Sequence, residues 1–382
     1  ALQRTDAAAA GLDPAALDAL RRRASVTHSD ALVVMRDGKV VVDERFGHPD
    51  GRIETMSVTK TIVALVVGRL VADGRIASID EPIATFFPEW RQGQKRRITI
   101  RHLLEMTSGL QAQRTTEEIY ASPDFVQLAL AAELTSEPGA KFFYNNKAAN
   151  LLAGVVRVAA GKRLDLVARE ELFAPLGIDD VGWTLDRAGN PHAMSGLELR
   201  PLDLARVGQL MLDGGRAGDR QVLPASWIAA MTSPSSRNPD YGLLTWLDAD
   251  RSLTIDAEVV GAWRAAKLEP AFVSRLLPLE GRVFDDKKSF FAAVAAAVGG
   301  PAPLATWAAH TYERGLPDGK VVARRYTGFR MNGYLGQHVV VVPSARLVAV
   351  RMRRFDEADG DDPRYGFADF PERVHALAAS AR

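Results

Sequence analysis

The sequence lacks cysteine altogether, and this absence from 382 residues excludes a disulfide framework, a thiol nucleophile and a thiolate metal site. It also lacks any apolar run of about 18 residues, the length that a helix needs to cross a bilayer, so we expect no transmembrane segment. A charge excess is missing too. The formal net charge is +1, which gives no reason to expect nucleic acid or a membrane surface as a partner.

The composition is otherwise that of an ordinary globular protein. Apolar residues make up 47% of the chain and charged residues 25%, and the length suits one large domain or two closely joined ones. Because the chain begins at Ala1 and not at methionine, we expect that a preceding segment has been removed. A signal peptide is one such segment, so we predict a periplasmic or secreted protein, with a cytoplasmic one as the alternative. The sequence predicts no particular oligomeric state.

Strand patterns lie at both ends of the chain. Near the start, two β-rich runs at 31–35 and 40–46 flank an Asp-Gly pair, which is a strong signal for an antiparallel hairpin. Near the end, runs at 337–342 and 346–352 predict two adjacent antiparallel strands. We therefore predict an α+β fold, a mixed α/β sandwich in which one antiparallel sheet is built from both chain ends and flanked by helices.

The region between these strands is mostly helical in pattern. Apolar residues at helical spacing recur at 57–73, 146–160 and 201–213, and each of these segments is followed by a glycine. We expect one domain over residues 1–382, with a mostly helical subdomain at about 75–210 inserted between the sheet-forming segments.

Ser57 and Lys60 are the first candidate catalytic pair. They lie three residues apart at the start of a predicted helix, on one face and a turn apart. A serine hydroxyl becomes a nucleophile when a neighbour takes its proton, and a lysine can do so when its pKa is lowered. The alternative is a capping serine followed by a solvated lysine. The helix that follows is apolar nearly all round, which indicates burial, and a lysine at its buried end requires a reason.

Tyr144 and Asn146 form a second candidate group, just before another predicted helix. A phenol near an ammonium can carry a proton between nucleophile and leaving group. The asparagine amide can hydrogen-bond the lysine or a substrate carbonyl. The alternative is that the tyrosine packs its ring and the asparagine caps the helix. These two positions alone leave both readings open.

A third candidate segment, residues 333–337 (Gly-Tyr-Leu-Gly-Gln), leads into the strand pattern at 337–342. Glycine at a strand entry lets a substrate lie close to the backbone. An N–H from an edge strand there could complete an oxyanion hole with the N–H of Ser57. An ordinary glycine turn is the alternative.

Together these three segments resemble the serine β-lactamase and penicillin-binding-protein superfamily, whose signature is Ser-x-x-Lys. The chain is more closely similar to class C β-lactamases, family VIII carboxylesterases, D-aminopeptidases and nylon-oligomer hydrolases, whose second motif is Tyr-x-Asn or Tyr-x-Ser. Further matching segments lie at 98–110, 203–215 and 240–246. The resemblance covers about 28–247 and 328–355, and it implies a β-lactamase/transpeptidase-like fold.

The resemblance assigns roles to individual residues. It implies that Ser57 is the nucleophile, that Lys60 and Tyr144 handle its proton, and that Asn146 is the asparagine of the second motif. No metal and no organic cofactor are needed for this chemistry. The expected partner is a small ester, amide or peptide-like substrate.

The third motif departs from the family pattern. The family has Lys-Thr-Gly, or His-x-Gly in many esterases, whereas residues 334–336 are Tyr-Leu-Gly and lack the cation that meets a substrate carboxylate. Nylon-oligomer hydrolases are also without a lysine there. The match implies that the Tyr334 N–H is the second oxyanion donor and that Tyr334 and Gly336 border the substrate. The absence of the cation favours as substrate an ester or amide without that carboxylate.

The stretch at about 248–325 has no counterpart in the family. It contains a predicted helix at 290–298. Long insertions are either functional or merely tolerated, so this one is either a peripheral insertion, a cap over the site or an oligomer contact.

We therefore predict a carboxylesterase- or amidase-like serine hydrolase that cleaves an ester or amide bond through an acyl-enzyme on Ser57. A β-lactamase or D-alanyl-D-alanine carboxypeptidase is one alternative, and a non-catalytic ligand-binding or sensor protein on the same fold is another. An α/β-hydrolase is not expected, because Gly-x-Ser-x-Gly is absent from the sequence. The histidines are scattered without ligand spacing, which argues against a metal site.

Overall fold

The computed structural model describes residues 2–47, 50–113, 115–360 and 362–381. The chain divides into two compact units: the first unit is Ala1–Leu247 with Gly328–Arg382, and the second unit is Asp248–Thr327. The second unit covers nearly the same span as the insertion predicted at about 248–325.

The helices in chain order are α1 (Pro14–Val26), α2 (Thr59–Ala72), α3 (Ile100–Leu104), α4 (Glu117–Ala121), α5 (Phe125–Ala131), α6 (Asn146–Ala160), α7 (Leu164–Ala168), α8 (Pro201–Leu212), α9 (Ala225–Met231), α10 (Ala257–Ala265), α11 (Pro270–Leu276), α12 (Lys287–Val298), α13 (Pro301–Glu313) and α14 (Phe370–Ala379). The strands are β1 (Ala31–Arg36), β2 (Lys39–Arg45), β3 (Ile53–Glu54), β4 (Gly182–Trp183), β5 (Leu197–Leu199), β6 (Arg216–Ala217), β7 (Arg220–Gln221), β8 (Trp246–Thr254), β9 (Val283–Phe284), β10 (Lys320–Gly333), β11 (Gln337–Val342) and β12 (Leu347–Met352).

The main sheet of the first unit is built from both ends of the chain. Its strands follow the order β2-β1-β12-β11-β10, and each neighbouring pair is antiparallel. The β1–β2 turn has positive φ at Asp37 (50°) and Gly38 (73°), the backbone that an Asp-Gly hairpin turn adopts. The predicted α+β fold, with an antiparallel sheet assembled from both termini and flanked by helices, is confirmed.

Both faces of the central strands β1, β11 and β12 are covered, because their alternate side chains point to opposite faces and both sets are buried. One face belongs to the large core shared with α2, α6 and α8, and the other belongs to a smaller core shared with α1 and α14. Gly208 lets α8 lie close to the sheet, since a Cβ there would be 2.7 Å from Val348 Cγ1. Strands buried on both faces have nearly continuous apolar sequences, which explains the runs at both ends of the chain.

A mostly helical region lies between these sheet segments in the sequence. It contains α3 to α8, and its strands in the described residues are the short β4 and β5. Together with β3 they form a small antiparallel sheet in the order β3-β5-β4. This sheet holds the chain just before α2, because Thr55 N donates to Leu197 O at 2.8 Å.

The second unit has a core of its own. β8 pairs antiparallel with β9, and α10 to α13 supply most of the buried side chains. Trp263 and Trp307 are both fully buried and meet edge to face at 6.0 Å between ring centres. The helix predicted at 290–298 is part of α12, while the sequence analysis missed α10, α11 and α13.

No single helix in the described part of the chain has both the length and the apolar composition to cross a membrane. One sharply bent pair, Lys287–Val298 with Pro301–Thr311, meets that test only when its two helices are combined.

Candidate active site

The segment Met56–Val58, which we call the nucleophile turn, is a short 3₁₀ helix that leads directly into α2. Met56 has φ 49°, a left-handed conformation that is uncommon for a residue other than glycine. The turn is held from both sides by threonines, because the hydroxyls of Thr55 and Thr59 lie 3.0 Å apart and both are buried. Ser57 is half-buried at the centre of the turn.

Lys60 lies one turn beyond Ser57 and is 1% exposed. Its Nζ donates to Ser57 Oγ at 2.9 Å and to the Met194 carbonyl at 2.7 Å. Burial lowers the pKa of Lys60, and the interaction with the Tyr144 hydroxyl partly opposes this shift. A lysine with a lowered pKa is more often a neutral amine, which can accept the proton of a neighbouring hydroxyl.

Tyr144 precedes α6 and completes the group around Lys60. The Lys60 Nζ is 5.0 Å from the centre of the Tyr144 ring. The ring of Tyr144 stacks on Trp246, with 6.2 Å between centres and an interplanar angle of 18°, and meets Tyr241 edge to face at 6.5 Å. Tyr241 is buried, and burial together with Tyr144 raises the pKa of its hydroxyl. The structure thus brings Ser57, Lys60 and Tyr144 into one cluster.

Three asparagines near the start of α6 have different environments. Asn145 is the N-cap: its side chain accepts from Ala148 N at 3.1 Å and donates to Leu110 O at 2.9 Å. Asn146, the predicted substrate or lysine contact, has a buried Oδ1 with no hydrogen-bond partner among the described residues. The hydrogen bonds of Lys60 Nζ go to Ser57 and Met194, so the role of Asn146 stays a prediction.

The third asparagine, Asn150, was missed by the sequence analysis. Its Oδ1 accepts from Ala193 N at 2.9 Å and from Met194 N at 3.0 Å, so it holds the residue whose carbonyl binds Lys60. The one signal for it in the sequence is an amide within the apolar stretch of a predicted helix.

The Tyr334–Gly336 segment, which we call the β10–β11 turn, is a 3₁₀ turn between the two strands, with positive φ at Leu335 (64°) and Gly336 (77°). Strand β11, which follows this turn, lies between β10 and β12 and is not at the edge of the sheet. Any N–H donor from Tyr334 therefore belongs to the turn and not to an edge strand. The Tyr334 side chain is 54% exposed.

Gly333, just before this turn, and Gly336, its last residue, face different neighbours. A Cβ on Gly333 would lie 2.7 Å from the Thr55 carbonyl and 3.0 Å from Met56 Cβ, so the strand end packs against the nucleophile turn. A Cβ on Gly336 would instead lie 2.0 Å from the Gly366 carbonyl and 2.7 Å from an Arg351 guanidinium nitrogen. Of the two glycines, Gly333 is therefore the one that packs against the nucleophile turn, and the predicted place of Gly336 beside the substrate stays a prediction.

Two histidines and one ion pair have structural roles. His102 forms a capping box with Thr99 at the start of α3. His338 lies in β11 and stacks on Phe370, and burial lowers its pKa to about 4. Asp203 and Arg206 pair at 3.1 Å in the first turns of α8. Among the residues that the structure describes, no three His, Asp or Glu side chains are grouped to hold a metal ion.

The sequence of this chain matches the model of a known protein family. The family model described as Beta-lactamase matches residues 17–366. The chain belongs to the beta-lactamase family. The predicted resemblance to serine β-lactamases and penicillin-binding proteins is therefore confirmed.

Two curated relatives of this beta-lactamase-family chain are hydrolases by name. The 6-aminohexanoate-dimer hydrolase of Paenarthrobacter ureafaciens is 29% identical over 242 residues, which cover 57% of this chain and 60% of that protein. Esterase EstB of Burkholderia gladioli is 32% identical over 205 residues, covering 46% of this chain and 51% of EstB. The chain thus matches between half and two thirds of the length of each.

Solved structures resemble the fold over almost the whole chain. A penicillin-binding-protein homologue from Caulobacter crescentus has a TM-score of 0.60 at 17% identity and covers 96% of this chain and 99% of its own. EstCE1, described as a hydrolase with promiscuous acyltransferase activity, has a TM-score of 0.61 at 16% identity, with 96% and 100% covered. At these identities the likeness concerns the fold.

Proposed function

We propose that this protein is a serine hydrolase that cleaves an ester or amide bond through an acyl-enzyme on Ser57. The observation that carries the proposal is the buried Lys60 amine, 2.9 Å from the Ser57 hydroxyl oxygen, with its pKa lowered by burial. A serine beside a base of this kind is the arrangement that nucleophilic catalysis requires.

The first half of the reaction forms the acyl-enzyme. The Ser57 Oγ attacks the substrate carbonyl carbon while its proton passes to the Lys60 amine, directly or through the Tyr144 hydroxyl. The carbonyl oxygen becomes an oxyanion that the backbone N–H groups of Ser57 and Tyr334 would stabilise. When the C–O or C–N bond breaks, the same proton goes to the departing alkoxide or amine.

The second half releases the acid. A water molecule attacks the acyl carbon, and Lys60 or Tyr144 takes its proton. The bond from the acyl carbon to Ser57 Oγ breaks, and the serine oxygen regains a proton. No group changes oxidation state in this cycle, and none of its steps calls for a cofactor.

The substrate we propose is an ester or amide that lacks a carboxylate at the position where β-lactams carry one. The sequence has Tyr-Leu-Gly at 334–336, where the family has a cation. The relatives named as an esterase and as an aminohexanoate-dimer hydrolase support the same substrate class.

Fluorophosphonate labelling followed by intact-protein mass spectrometry tests the proposal, since this reagent reacts with activated serines. We expect one adduct on the wild type and none on Ser57→Ala. Ser195 supplies the matched control, because it is a second serine close to Lys60, next to the Met194 whose carbonyl accepts from Lys60; Ser195→Ala should keep the adduct. An adduct on Ser57→Ala would overturn the assignment, and no adduct on the wild type would favour a non-catalytic ligand-binding protein.

Turnover of a substrate panel then separates the enzyme classes. Short-chain nitrophenyl esters, aminohexanoate oligomers, D-amino-acid amides and nitrocefin would be compared by kcat/KM. We expect the esters or the oligomer amides to rank first. Nitrocefin as the best substrate would favour the β-lactamase alternative.

A further inference from the structure

Residues 192–196, which we call the clamp segment, pass beside Lys60 and are fixed along their length. Backbone hydrogen bonds hold its two ends: His192 N donates to Thr184 O at 3.0 Å, and Thr184 N donates to Gly196 O at 2.8 Å. Side chains hold it as well, since Trp183 Nε1 donates to His192 O at 2.8 Å and Gly196 N donates to Glu54 Oε1 at 2.9 Å. In the middle of the segment, the side chain of Asn150 holds the backbone N–H groups of Ala193 and Met194.

Only the oxygen of the Asn150 side-chain amide makes hydrogen bonds among the described residues. It is 1% exposed, and its Oδ1 accepts from both Ala193 N and Met194 N. Backbone N–H groups can only donate, so the side-chain atom facing them must be the oxygen. The Nδ2 has no hydrogen-bond partner among the described residues. A buried amide nitrogen without a partner is uncommon and needs an explanation, and the two hydrogen bonds that the carbonyl oxygen accepts offer one.

The carbonyl of Met194 in turn limits how the Lys60 amine can point. It accepts from Nζ at 2.7 Å, Ser57 Oγ lies 2.9 Å from Nζ, and the Tyr144 hydroxyl also interacts with the amine. A neutral amine has two N–H bonds and one lone pair. When one N–H is committed to the Met194 carbonyl, the lone pair can be directed at the Ser57 hydroxyl, as a general base requires.

We propose that Asn150 is a positioning residue for catalysis: by holding the amides of Ala193 and Met194, it sets the Met194 carbonyl that orients the Lys60 amine toward Ser57. This inference rests on the proposed function of Ser57 and Lys60. It requires that Asn150 acts on the reactivity of Ser57 and not merely on folding or on substrate binding.

Three variants test the inference through the rate of fluorophosphonate inactivation, which reports the reactivity of Ser57 without the deacylation step. Asn150→Leu removes the acceptor and should lower the maximal inactivation rate about a hundredfold with little change in the reagent's apparent affinity, because small misplacements of a catalytic group have effects of this size. Asn150→Asp keeps an oxygen acceptor at the same place and should restore most of that rate. Glu54→Ala removes the anchor at Gly196 and should cause a much smaller loss.

The outcomes separate the two proposals. If Ser57→Ala still forms the adduct, the proposed function fails. If Ser57→Ala does not, but Asn150→Leu reacts like the wild type or Glu54→Ala loses as much rate as Asn150→Leu, the positioning role alone fails. Should Asn150→Leu not fold, Asn150→Ser replaces it: the shorter hydroxyl cannot span both amides, and a wild-type rate in this variant would overturn the inference.

Discussion

The nucleophile turn and the β10–β11 turn are in contact through Gly333, yet they are held very differently. The nucleophile turn is fixed by buried threonine hydroxyls, and Lys60 behind it is 1% exposed with hydrogen bonds on two sides. The β10–β11 turn presents a tyrosine side chain that is 54% exposed. The difference indicates that the groups we propose for proton transfer are fixed by the core, while the turn we propose to border the substrate has room to vary. Each prediction below tests one part of this contrast.

The largest effect should come from the fixed side. Lys60→Met keeps the bulk of the side chain and removes the amine, so the rate of fluorophosphonate labelling should fall about 10²- to 10⁴-fold, the range of a lost general base. Lys147→Met is the matched control, because Lys147 is also buried, at 3% exposure, but pairs with Glu118 at 2.6 Å. Equal losses in both variants would mean that burial, and not the place beside Ser57, explains the effect.

On the exposed side, the backbone of Tyr334 should matter more than its side chain. Tyr334→Pro removes the N–H that we assign to the oxyanion hole and should slow acylation by a nitrophenyl ester about 10²- to 10³-fold. The preceding Gly333 has φ −133° and ψ 160°, which is compatible with a following proline. Tyr334→Ala keeps the N–H and should change the rate only slightly. A Tyr334→Ala variant as slow as Tyr334→Pro would contradict the assignment.

The contact between the two turns can be tested at Gly333. A methyl group in Gly333→Ala would press on the Thr55 carbonyl at 2.7 Å and shift one turn against the other, so labelling should slow roughly ten- to a hundredfold. Gly261→Ala is the control: a Cβ at Gly261 would meet nothing within 4 Å, and that variant should label at the wild-type rate. Unchanged labelling in Gly333→Ala would show that the two turns are not mechanically coupled.

The smallest expected effect is a displacement of the pH profile. The labelling rate should rise with pH as Lys60 loses its proton, and burial places this rise below the pH at which an exposed lysine titrates. Because Tyr144 raises the pKa of Lys60, the slower reaction that Tyr144→Phe retains should show its rise at lower pH than the wild type. Tyr120→Phe, which removes a hydroxyl bonded to Ser195, should leave the rise in place. If the labelling rate of Tyr144→Phe rose at a higher pH than that of the wild type, the prediction would be wrong.

Local patterns in the sequence predicted much of the fold correctly. The strand runs at both chain ends and the Asp-Gly hairpin follow from alternation and turn chemistry, which act over a few residues. Helix α6 has the predicted bounds, Asn146–Ala160, because its N-cap and its terminal glycine are adjacent to the apolar pattern. In the site, the spacing of Ser57 and Lys60 placed both on one helical turn.

What the sequence could not predict depends on contacts between distant segments. Asn150 meets Ala193 and Met194 only after α6 and the clamp segment have packed together, and nothing in the local pattern pairs positions 43 and 44 residues apart. Which of the two glycines packs against the nucleophile turn, Gly333 or Gly336, also depends on contacts between distant segments. The left-handed φ at Leu335 turns the chain between them, so the two glycines face different neighbours although they are three residues apart.

The left-handed conformation of Met56 has a consequence for when this protein becomes reactive. Such a backbone state costs on the order of 1–3 kcal/mol and persists only where the surroundings enforce it. The surroundings of Met56 include a hydrogen bond from Leu197 N in β5 to the hydroxyl of Thr59 in α2, two residues that are 138 positions apart in the chain. A nascent or partly unfolded chain therefore contains the serine but not the geometry that activates it. We therefore expect Ser57 to react with fluorophosphonate only when the tertiary structure is complete. During denaturation, labelling of Ser57 should be lost before the secondary structure is.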